Sequence, residues 1–92
     1  MPFKIYAEGK IPEYYSKFDI WIDSEKERLI SKYQGKYAVV KDSKIQDEYF
    51  EGILKYNDET SFYLINPRRP TTEEEKLTFR FENLEAIFLR NF

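Results

Sequence analysis

The sequence predicts a mainly β domain: a small, strongly bent five-stranded antiparallel barrel with one N-terminal helix and an added N-terminal β segment. Three observations predict it. From Lys36 onward, apolar residues recur with period two in five short runs separated by turn residues, as in a small antiparallel barrel. Gly52 interrupts an otherwise well-patterned run, which marks a bend where a side chain would clash. Aromatics make up 18% of the chain, so a short domain must build much of its core from rings.

In chain order, residues 1–23 form an extension read as β structure packed on the barrel. Phe3-Lys4-Ile5-Tyr6-Ala7 alternates and ends at Gly9, and Phe18, Ile20 and Ile22 alternate through residues 18–23. A continuous helix over residues 12–33 competes, because Tyr14, Phe18 and Ile22 also lie four apart. The β-branched and aromatic content favours the strand. The barrel unit, residues 24–92, opens on a helix at 24–34. There Ser24 and Glu27 have capping-box spacing, and Glu25, Glu27 and Lys32 suit the ends of the helix dipole. Leu29, Ile30 and Tyr33 form its apolar stripe, and Gly35 stops it. Strands follow at 37–41, 49–56, 61–65, 77–81 and 84–89, with Phe50, Gly52, Leu54 and Tyr56 sharing a face. Residues 57–60 read as a turn and residues 66–75 as the one long loop.

Two stretches carry a family resemblance. Glu51-Gly52-Ile53-Leu54-Lys55-Tyr56-Asn57-Asp58, followed by Phe62-Tyr63-Leu64-Ile65, resembles the first Sm motif. Phe79-Arg80-Phe81-Glu82-Asn83-Leu84-Glu85-Ala86-Ile87 resembles the second. The same stretches are similar to the C-terminal barrel of the bacterial ribosome maturation factor family. The resemblance implies an Sm-like barrel whose helix falls at 24–34, and an RNA pocket in which Arg80 and Asp58 match the family's residues. Where the family has a base-holding Asn this chain has Phe62, which would offer a stacking face instead. The Gly that follows the Arg in the family is here Phe81. Subunits of the family pair through their fourth and fifth strands, which implies a homo-oligomer with Leu84, Ile87 and Leu89 at the interface.

Chemistry is sparsely provided for. Zero His and zero Cys remove the commonest general base, the thiolate nucleophile and the usual zinc ligands. No carboxylate pair has a spacing that demands one cleft, Glu73-Glu74-Glu75 lacks the alternation of a calcium loop, and the three glycines form no phosphate loop. The expectation is a non-enzymatic protein with no cofactor and no metal. No apolar run is long enough for a membrane span, so a cytoplasmic protein is expected. Few Gln and Met beside many Lys and Glu is a bias of thermostable proteins.

Binding remains. Lys32, Lys36, Lys41 and Lys44, interleaved with Tyr33 and Tyr37, form the one net-positive stretch, and Arg68 and Arg69 lie between two prolines in the long loop. Cations with aromatics are how single strands are held, although a net charge of −2 and a pI of about 5.2 oppose a broad electrostatic footprint. RNA or a ribonucleoprotein assembly is the first expected partner. The alternative is a barrel used only for protein–protein contact, as a self-assembling unit, adaptor or inhibitor. Tyr14, Tyr15, Trp21 and Tyr63 exceed what one small core needs, and aromatics are enriched at interface centres.

Overall fold

The computed structural model describes residues 3–19, 22–66 and 75–91. Among these residues, seven antiparallel strands and one helix make a mainly β fold. In chain order they are β1 (Lys4–Tyr6), β2 (Tyr15–Phe18), α1 (Asp23–Lys32), β3 (Tyr37–Asp42), β4 (Tyr49–Tyr56), β5 (Ser61–Ile65), β6 (Lys76–Arg80) and β7 (Leu84–Arg90). A single 3₁₀ turn, Phe81–Asn83, separates β6 from β7. β3 to β7 overlap the five runs expected as strands, and β1 and β2 fall within residues 1–23, so one sheet holds seven strands. Sheet order is β2-β7-β3-β4-β5-β6, with β1 beside β4. Among the described residues β6 pairs only with β5, so the sheet is bent but not closed. No helix among them is long and apolar enough to cross a membrane.

The bend lies at Gly52. Residues 49–51 of β4 pair with β1 on one side, whereas residues 53–56 pair on that same side with β5. The sheet therefore turns within a single strand. A Cβ built on Gly52 would lie 2.7 Å from Leu64 Cβ and 3.0 Å from the Ile65 carbonyl oxygen, closer than any side chain tolerates. Gly52 thus sits where the packing leaves no room for a side chain.

Period two divides the sheet into two faces. The inner face gathers Ala38, Val40, Phe50, Leu54, Phe62, Leu64, Phe79, Ile87 and Leu89 over Ile30 of α1. The helix starts one residue before the expected Ser24. Ile22 takes the cap position with no side-chain bond, so the Ser24–Glu27 capping box does not form. Glu27 instead accepts the Tyr56 hydroxyl at 2.6 Å. That bond, with the desolvation and charge around it, pushes the Tyr56 pKa up to about 12. Buried Lys26 donates to the Phe81 carbonyl at 2.9 Å and pairs with Asp23 at 3.3 Å, tying α1 to the 3₁₀ turn. The helix ends at Lys32, two residues before the expected Gln34, with Tyr33 at its C-cap, and Gly35, at φ +88°, follows in the turn with its N–H donating to Leu54 O.

The outer face is covered by the extension. A strand expected at 18–23 is found instead at Tyr15–Phe18, where it pairs with β7 through Tyr15↔Arg90 to Phe18↔Ile87. From β1, beside β4, the chain must cross β4, β3 and β7 to reach that edge. Four strand spacings are about 19 Å, well within the reach of the nine-residue step from Tyr6 to Tyr15. Ile11 packs on the way against a cluster of Tyr6, Tyr15, Val39, Tyr49 and Ala86. The hydroxyls of Tyr6 and Tyr15 both donate to Glu51 Oε2, at 3.0 and 2.7 Å. Burial, and then the bond to Glu51, raise both phenol pKa values above the ordinary tyrosine value.

Candidate functional site

The residues behind the Sm resemblance meet where turn 57–60 approaches the 3₁₀ turn. Asp58 Oδ1 accepts the backbone N–H groups of Thr60 and Ser61, each at 2.9 Å, and both hydroxyls at 2.9 and 3.0 Å. These donors, the Thr60 N–H foremost, hold the Asp58 carboxyl below its usual pKa. The oxygen they share is engaged by its own turn. Arg80 is exposed, and its Nε donates to Glu82 at 2.8 Å. It borders a cavity of about 100 Å³ lined by Asp23, Glu59, Thr60, Arg80, Phe81 and Glu82. With Arg80 paired to Glu82, and Glu59 and Asp23 also lining the cavity, little positive charge is left there for a phosphate.

Phe62 requires a correction. It was expected to present a face to a base, but it is fully buried, with ring centroids 5.5 Å from Phe79 and 5.4 Å from Phe81 in near-parallel stacks. Fully buried and stacked on protein rings, it has no face open to a base. Phe81, which stands where the family has Gly, supplies one of those rings.

The two lysines expected to act together are separated. Lys36 precedes β3 and Lys41 lies near its end, about 17 Å apart along an extended strand. Lys41 is bound to Glu85, which raises its pKa. Lys36 borders a groove of about 330 Å³ with Ser16, Phe18, Tyr33, Leu89, Arg90 and Asn91. Sequence reasoning found Lys36 and Tyr33 but missed Arg90 and Ser16, which arrive through the β2–β7 pairing and carry no local signal.

The expected oligomer edge also changes. Leu84, Ile87 and Leu89 are buried, and β7 lies between β2 and β3, so β7 is not an edge. Trp21, Arg68 and Arg69 lie outside the described residues. Tyr15 is buried in the outer cluster, and Tyr63 lies under the Lys76 ammonium, 5.0 Å from its ring centroid. The longest strand with one open side among the described residues is β6. Phe81 N–H donates to Thr60 O, and Asn66 N–H to Glu75 O, both at 3.0 Å. In an antiparallel ladder hydrogen-bonded pairs alternate, so residues 77 and 79 also face β5. The backbone groups of Lys76, Thr78 and Arg80 therefore point away from the sheet, and all three side chains are exposed. Among the described residues no cluster of three or more metal-binding side chains occurs. No protein-family model, curated protein or solved structure matches this chain.

Proposed function

We propose that the chain is a non-enzymatic Sm-like β domain that acts as a protein-interaction module, accepting a partner's extended strand along β6. The observation that carries this reading is the outward row of backbone groups at Lys76, Thr78 and Arg80, a template for strand addition. The alternative of an RNA-binding ring subunit has less support. Its stacking residue is core, its arginine is paired with Glu82, and the edge through which β7 would pair with a neighbour is occupied by β2.

Thr78 gives a test that leaves the fold intact. Its N–H points outward, so Thr78→Pro removes a donor from the open edge without breaking the β5–β6 ladder. Extended peptides selected from a displayed library on the parent should bind Thr78→Val and fail to bind Thr78→Pro, with all three proteins folded by circular dichroism. A library that yields no binder, or binders indifferent to Thr78→Pro, refutes the edge reading.

A further inference from the structure

We infer, and this rests on the β6-edge reading, that the strand accepted along β6 is acidic. It is an extended, antiparallel segment with carboxylates opposite Lys76 and Arg80 and an apolar residue on each side of the one opposite Thr78. The edge itself sets this pattern. The backbone groups of Lys76, Thr78 and Arg80 point outward, so the residues that pair with them alternate along the added strand. Those three share the outer face of the sheet with the exposed side chains of Lys76, Thr78 and Arg80. The two between them lie on the inner face, beside half-buried Leu77 and buried Phe79, where an apolar side chain extends the core.

Charge selects the outward residues. Positions 53 and 55 of β4, 61, 63 and 65 of β5, and 76, 78 and 80 of β6 alternate with core positions and share the outer face. They include Lys55, Lys76 and Arg80 and no carboxylate, on a chain whose net charge is −2. Glu75, just before β6, is engaged by Asn66 at 3.3 Å. Lys76 is the principal contact. Its ammonium lies 5.0 Å from the centroid of the Tyr63 ring, one strand in from the edge, which keeps the charge on the outer face. Among the described residues Lys76 forms no ion pair. Arg80 contributes less, because its Nε is bound to Glu82 at 2.8 Å. That pair is exposed on both sides, where such pairs hold weakly, and a guanidinium has further donors to offer. Opposite charges facing each other across neighbouring strands attract and like charges repel, so this edge accepts an acidic strand and rejects a basic one.

Three synthetic peptides test the assignment. They share a central Val-Thr-Val flanked on both sides by Glu, by Gln or by Lys, and each is labelled and titrated into the full chain at low salt, with fluorescence anisotropy as the readout. The Glu peptide should bind at least about threefold more tightly than the Gln peptide, and the Lys peptide more weakly than either. Lys76→Glu should reverse the order of the Glu and Lys peptides. Lys76→Gln should weaken the Glu peptide by about three- to fivefold, whereas Lys55→Gln, which removes a charge from the same face two strands in, should stay within about twofold of the parent. Thr78→Pro should abolish binding of the Glu peptide. Peptides that bind equally, yet are lost in Thr78→Pro, would overturn the acidic partner and leave the edge reading standing. The same holds if none of the three binds while library-selected peptides do. Equal losses in Lys76→Gln and Lys55→Gln, or an order that Lys76→Glu does not reverse, would overturn the pairing at Lys76. Binding that survives Thr78→Pro, or no binding by these peptides or by any from the library, would overturn both readings.

Discussion

Gly52→Ala adds one methyl group at the point where the sheet bends. The added carbon would lie 2.7 Å from Leu64 Cβ and 3.0 Å from Ile65 O. Ordinary carbon–carbon contact begins near 3.5 Å, so β4 and β5 must part by close to 1 Å. Both opposing atoms are fixed by backbone position, and no rotamer change moves either. Overpacking of this kind costs typically 1–3 kcal/mol, and the absence of side-chain relief places the expected loss at about 2–3 kcal/mol. For a domain of this size each kcal/mol lowers Tm by about 4–8 °C, so thermal unfolding should fall by about 10–20 °C. Leu64→Ala in the same chain should not rescue it, because that substitution keeps the Cβ. Gly9→Ala is the control: its added carbon meets nothing within 4 Å, leaving only the strain of its φ of +80°. A Gly52→Ala protein melting within about 2 °C of the parent, or a Gly52→Ala/Leu64→Ala double variant restored to it, would show that the bend does not depend on this contact.

Phe62→Ala should destabilise by about 3–5 kcal/mol, the cost of a buried aromatic, while Arg80→Ala should melt within about 2 °C of the parent, as exposed substitutions do. Denaturant unfolding of both variants separates a core residue from a surface one, and equal losses would contradict the placement of Phe62. Stability should decline in alkali. Tyr6 and Tyr15 have folded pKa values raised above the unfolded value near 10, so the folded state holds protons that the unfolded state releases. Their contribution is complete below pH 10 and is lost as pH rises from there toward the folded pKa values. Glu51→Gln removes the charged acceptor and should make that decline shallower in urea titrations at pH 9 to 11. A parent whose stability is flat over this range would refute the tyrosine–Glu51 linkage.

Strands whose signal is local were legible in the sequence. β4 and β5 have the boundaries that alternation and the Asn57–Thr60 turn imply, and Gly52 stands where the pattern requires a bend. Elements fixed by distant pairing were not. Phe18, Ile20 and Ile22 alternate, but the ladder to β7 selects Tyr15–Phe18, and nothing within residues 12–23 encodes its partner. Ser24 and Glu27 have the spacing of a cap, yet Tyr56, 29 residues beyond Glu27, engages that carboxylate. Phe62 is the most instructive case. Period two places it on the same face as Leu64, and both are fully buried. The family motif places a base-binding residue at this position, but the alternation that puts it in the core prevails. The groove at Lys36 was half legible, because Lys36 and Tyr33 are neighbours in sequence whereas Arg90 reaches them only through the fold.

The extension also limits how this sheet can assemble. β2 pairs with β7 over its four residues, so a second subunit cannot use that edge unless β2 leaves it. Departure would break up the Tyr15 and Val39 cluster and deprive the half-buried Glu51 of the Tyr15 hydroxyl. Removing partners from a buried acceptor, especially a charged one, costs more than making the bonds contributes. Residues 3–18 thus behave as part of the domain and not as a detachable arm. With β7 paired on both sides, β6 is the longest strand with an open side among the described residues, and its outward groups alternate with the buried Phe79. A strand laid there would meet Lys76 and Arg80 beside Thr78. Two β6 edges paired antiparallel about Thr78 would set Lys76 opposite Arg80 of the other copy, and like charges directly opposed are unfavourable. The edge is therefore better suited to a different chain than to a second copy of this one.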